Sequence, residues 1–74
     1  MDVGMLWLDD DKRATLEQKV ERAAEYYREK YGQVPELCFV NKAALEEGRL
    51  VGAIEVRPAG YMLPHHFLLG LKAA

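Results

Sequence analysis

Apolar positions along the chain change their spacing several times, and each change marks an element. In the run Val3-Gly-Met-Leu-Trp-Leu8 both alternating faces are apolar, with Val3, Met5 and Trp7 on one and Leu6 and Leu8 on the other. Such a run predicts a central strand covered on both sides, ended by Asp9-Asp10-Asp11. From about Lys12 the period becomes helical. Leu16, Val20, Ala23, Tyr27 and Tyr31 recur at spacings of three and four, with Ala24 beside them, and predict a helix to Tyr31 with one apolar stripe. Thr15 and Gln18 have the spacing of a capping box, and Asp9 to Asp11 offer an alternative cap one turn earlier. Either way, acidic side chains lie near the positive end of the helix dipole. Gly32 suits the left-handed position that ends a helix, and Pro35 prevents its continuation.

Leu37-Cys-Phe-Val40 predicts a second strand, after which Asn41 caps a short helix, Lys42 to Glu47, closed by Gly48. That connection is about eight residues, below the dozen a parallel crossover requires, so the third strand is expected antiparallel to the second. The first connection holds a full helix and allows a right-handed parallel βαβ unit. Arg49–Arg57 and Tyr61–Leu71 read as the arms of a hairpin around Pro58-Ala59-Gly60, a three-residue loop with Pro leading and Gly closing. In that register Glu55 faces Leu63, Ala53 faces His65, Val51 faces Phe67 and Gly52 meets His66. Pro64 cannot donate to a ladder, which marks the second arm as an edge strand. The expected fold class is α+β: a small two-layer domain, β-α-β-(short α)-β-β. One long helix packs on a mixed three- to four-stranded sheet with a C-terminal β-hairpin.

Composition adds limits. Seventy-four residues, half of them hydrophobic, make one domain rather than a disordered chain. A chain of this length buries only about 60% of its unfolded surface. Such scaffolds usually add disulfides, a metal or a second subunit. Cys38 is the only cysteine, so no disulfide forms within the chain. A lone cysteine without a signal peptide fits a reducing, cytoplasmic setting. The apolar run Val3 to Leu8 is too short to span a bilayer. Ten basic and twelve acidic residues are interleaved, which argues against phosphate-backbone binding and so against nucleic acid as a partner.

The candidate chemistry is sparse. His65-His66 holds both histidines of the chain, but neighbours on an extended strand point to opposite faces, and no paired-cysteine or HExxH spacing accompanies them. A metal at His65 and His66, or an acid–base enzyme of nuclease or phosphoesterase type using His65, His66 and Glu55, therefore ranks as the alternative reading. No cofactor motif is present. Asp9 to Asp11 lack the spacing of a calcium loop and read as a solvated helix start. Tyr27 and Tyr31 lie on the helix stripe, and Cys38 reads as a small buried hydrophobe.

The leading reading follows from surplus apolar surface. One helix covers one sheet face, and the second face is left open. The expectation is a small non-catalytic interaction or regulatory protein, pairing with itself as a homodimer or serving a larger protein as accessory subunit. Its interface is expected at Tyr61, Leu63, Phe67, Leu69 and Leu71.

Overall fold

The computed structural model describes residues 4–72. They form β1 (Gly4–Leu8), α1 (Leu16–Tyr31), β2 (Leu37–Val40), β3 (Arg49–Val51), β4 (Ile54–Pro58) and β5 (His66–Gly70). The result is a compact α+β domain, with one helix on a five-stranded mixed sheet of order β1-β5-β2-β4-β3. Its Cα radius of gyration is 11.1 Å, against about 11 Å expected for a folded chain of this length.

The helix starts at Leu16, directly after its capping box, and not at about Lys12 as expected. Thr15 Oγ1 accepts from the Gln18 N–H at 3.2 Å, and Gln18 Oε1 accepts from the Thr15 N–H at 2.9 Å. The acidic run instead stands before the helix, where Asp9 and Asp11 pair with Arg22 at 3.5 and 3.2 Å. At the other end Gly32 takes the left-handed conformation (φ 72°), and its N–H donates to the Arg28 carbonyl. That conformation is cheap only for a residue without Cβ.

The closing hairpin is replaced by a different pairing. The stretch Arg49–Arg57 is not one strand: it turns at Gly52-Ala53, so that β3 and β4 form a hairpin with Val51 opposite Ile54. Gly52 sits at the first central position with φ 61°, as a type II′ turn requires. β5 does not pair with β4. It lies between β1 and β2, antiparallel to both, and is central rather than an edge. Pro64 falls in the turn before β5, so its missing N–H places no restriction on the strand.

Two further expectations change for the same reason. β1 and β2 do run parallel, but β5 is inserted between them, and β1 is an edge strand with one face covered. β4 is parallel to β2, and the connection between them is residues 41–53, long enough for a parallel crossover because β3 lies inside it. No helix forms over Lys42–Glu47. Asn41 Oδ1 accepts from the Ala43 N–H at 2.8 Å, and the Asn41 carbonyl accepts from the Ala44 N–H. This local turn competes with a helix too short to nucleate.

The core lies between α1 and one face of the sheet. Val20, Ala23 and Tyr27 from the helix meet Met5, Cys38, Val40, Val56, Phe67 and Leu69, all buried. In-register partners share a face, so the ladder rows Met5–Leu69–Cys38–Val56 and Trp7–Phe67–Val40 form that covered side.

Candidate functional site

The other face of the sheet has no layer over it among the described residues. Its central row is Leu6 on β1, Leu68 on β5, Phe39 on β2 and Arg57 on β4, adjacent in register across four strands. Leu8 and His66 form the next pair on one side of that row. Leu6 is 62% exposed and Leu8 58%, while Phe39 and Leu68 are half-buried by their neighbours. The segment after β4 curls onto the same face. Tyr61 approaches Phe39 with ring centroids 6.3 Å apart, and Tyr61 and Leu63 remain 69% and 64% exposed. Leu6, Tyr61, Met62, Leu63 and His66 enclose a shallow apolar depression of about 150 Å³.

A charged margin closes one side of this patch. Glu55 Oε1 accepts from Arg57 Nη2 and Nε at 2.6 and 2.9 Å, and its Oε2 lies 3.1 Å from Lys72 Nζ. The hydrogen bonds from Arg57 and then Lys72 hold the Glu55 carboxyl below its ordinary range. Its partners are thus two bases, with no histidine among them. Glu55 stands level with Gly70, four positions along β5 from His66, or roughly 13 Å at the usual strand rise. The expected Glu55–His65 acid–base pair therefore does not form, because it depended on a β4–β5 ladder that the fold lacks.

The histidines sit in a tight turn. The His66 N–H donates to the Leu63 carbonyl at 3.2 Å, with Pro64 and His65 between them. His65 has φ 65°, the third position of a type II turn, which normally goes to Gly or Asn. The Asp9 N–H binds the His65 carbonyl at 3.0 Å, and Asn41 Nδ2 donates to the Met62 carbonyl at 2.7 Å, so both flanks of the turn are tied down. His66 Nδ1 lies 2.8 Å from the Pro64 carbonyl, a contact in which the ring N–H donates. Among the described residues no group of three or more His, Cys, Asp or Glu side chains is placed to hold a metal.

Of the expected interface residues, Tyr61 and Leu63 lie exposed at the open face, and Leu71 is half-buried just beyond β5. Phe67 and Leu69 are corrected: alternation along β5 puts them under α1, where they are 3% and 0% exposed and out of reach of a partner. The residues missed by sequence reasoning are Leu6, Leu8, Phe39 and Leu68. Their signal was the doubly apolar run at the start of the chain, which predicted two covering layers where the fold supplies one. Cys38 is buried, and desolvation pushes its thiol up to about 12. It is a core side chain without nucleophilic character.

No helix among the described residues is long and apolar enough to cross a membrane. Neither a protein-family model, nor a curated protein, nor a solved structure matches the chain.

Proposed function

We propose that this protein is a small non-catalytic interaction module that pairs with a second copy of itself through the open face of its sheet. The observation that carries the reading is the apolar row Leu6–Leu68–Phe39 on the open face, extended by the exposed Leu8, Tyr61 and Leu63. Contiguous apolar patches of this kind mark interaction surfaces, whereas scattered exposed apolar residues do not.

A second copy fits for three reasons. Five strands separated by four gaps of about 4.8 Å make a face roughly 19 Å wide, and a second copy brings a face of the same width. A copy laid on it is therefore covered from edge to edge. The charged margin places Glu55 beside Arg57 and Lys72, so a two-fold can set acid against base instead of opposing one sign with itself. Finally, two sheets packed about 10 Å apart would bury the alternation that one helix leaves uncovered, relieving the marginal core of a short chain.

Light scattering on the eluting protein tests this reading. The expected mass is twice that of the monomer at micromolar concentration, and Leu6→Lys restores the monomer. A monomer at all concentrations, or capture of a different protein by this face, contradicts self-pairing.

A further inference from the structure

We propose that a second cavity, on the helix side of the sheet, binds a small organic anion: a carboxylate or phosphate head on a short apolar body. It opens between the first turns of α1 and the turn that precedes β5, on the opposite side of the sheet from the row Leu6–Leu68–Phe39, with His66 bordering both this cavity and the open-face depression. Its floor is Leu16, Val40 and Phe67, and its polar rim is Lys19, Asn41, His65 and His66. The volume is about 200 Å³, below the range of about 300–1,000 Å³ that accommodates drug-sized ligands. The ligand is correspondingly small.

The sign of the ligand follows from what the rim offers. No carboxylate lines the cavity. Asn41 is anchored at both ends of its amide, with one N–H donated to the Met62 carbonyl and its oxygen accepting from the Ala43 N–H, and the His66 ring is oriented through Nδ1 by the Pro64 carbonyl. That leaves the Lys19 ammonium and the His65 ring. Among the described residues neither enters an ion pair or a side-chain hydrogen bond. A cation beside an apolar floor with no acid to answer it is arranged for an anion with an apolar body.

The backbone at His65 supports the same site independently. A type II turn reserves its third position for a residue without a Cβ penalty, yet a histidine stands there at φ 65°. Backbone strain of this kind persists where surrounding structure enforces it, and it concentrates at binding sites.

The test is an amide-resolved NMR titration of the intact chain with benzoate, its neutral isostere benzamide, and inorganic phosphate. Benzoate is expected to give saturable shifts at Lys19, Ala44 and His65. Benzamide should bind about tenfold more weakly, the loss of one charge-assisted contact. Phosphate should also be weaker, since it leaves the apolar floor unused. Lys19→Met is expected to weaken benzoate by about tenfold, while Lys30→Met, at the far end of α1, leaves it unchanged. Should Lys19→Met perturb the fold, His65→Gly replaces it, because glycine suits that backbone. Equal binding of benzoate and benzamide, shifts that never saturate, or full affinity in both variants would overturn the proposal. So would phosphate binding as tightly as benzoate. A monomeric protein that binds benzoate would refute the self-pairing reading and leave this one standing.

Discussion

Leu68 on β5 lies directly opposite Leu6 on β1, and both side chains face away from α1. Leu69, the next residue, points into the core and is fully buried. Adjacent leucines on one strand thus lie on opposite faces of the sheet. Leu69→Ala is expected to cost about 2–5 kcal/mol by loss of buried surface plus a cavity. Leu6→Ala, on the exposed side, should change monomer stability by no more than about 0.5 kcal/mol. Urea unfolding of the two variants at low protein concentration compares them directly.

Association through the open face makes stability depend on concentration, because only the folded state binds. The Tm of the wild type should rise as protein concentration is raised, and Leu6→Lys should abolish that rise. Calorimetry over a hundredfold concentration series reads the effect.

Thr15 closes a complete capping box with Gln18. Thr15→Ala leaves the Gln18 N–H without its side-chain acceptor and should cost about 1 kcal/mol. For a domain of this size that corresponds to a fall in Tm of about 4–8 °C. Thr15→Asp should keep most of it.

Cys38 supplies a pH dependence whose sign is fixed. Burial raises its folded-state pKa to about 12, whereas an exposed thiol titrates near about 8.5. Between these values the unfolded chain releases a proton that the folded chain retains, so stability is full below about pH 8.5 and declines above it. The decline is on the order of 1 kcal/mol per pH unit. Cys38→Ala should show a shallower alkaline slope in chemical unfolding, whatever its packing cost.

His65→Gly should raise stability by about 1 kcal/mol, since glycine tolerates the left-handed backbone that histidine occupies there. His65→Val should lower it. Urea midpoints distinguish the two.

Much of this fold was legible because the helix carries its signals locally: a stripe of period 3.6, a capping box and a terminal glycine all agree. The sheet was harder. Arg49–Arg57 read as one strand because Pro58-Ala59-Gly60 looked like the stronger turn, yet the chain had already turned at Gly52-Ala53. The spacing carries the sign of it. Val51, Ile54 and Val56 are all buried, and the step of three from Val51 to Ile54 breaks an alternation of two, with a glycine in the gap. A two-residue turn absorbs that step and returns Val51 to the face of Ile54. The position of β5 was not legible, because insertion between β1 and β2 is a long-range choice that no local pattern encodes. The histidine turn was legible in principle, since Leu-Pro-His-His carries proline where a type II turn prefers it. The uncovered face was anticipated, but with Phe67 and Leu69 assigned to the wrong side of the sheet.

The central claim is that the row Leu6–Leu68–Phe39 is covered by the same row of a second copy. An isotope-filtered NOE experiment on a mixture of labelled and unlabelled protein tests it most directly. It is expected to show intermolecular contacts from the methyl groups of Leu6, Leu8 and Leu63 to the rings of Phe39 and Tyr61. The absence of intermolecular contacts at millimolar concentration, or contacts confined to Tyr26 and Val34 on the helix side, would contradict it.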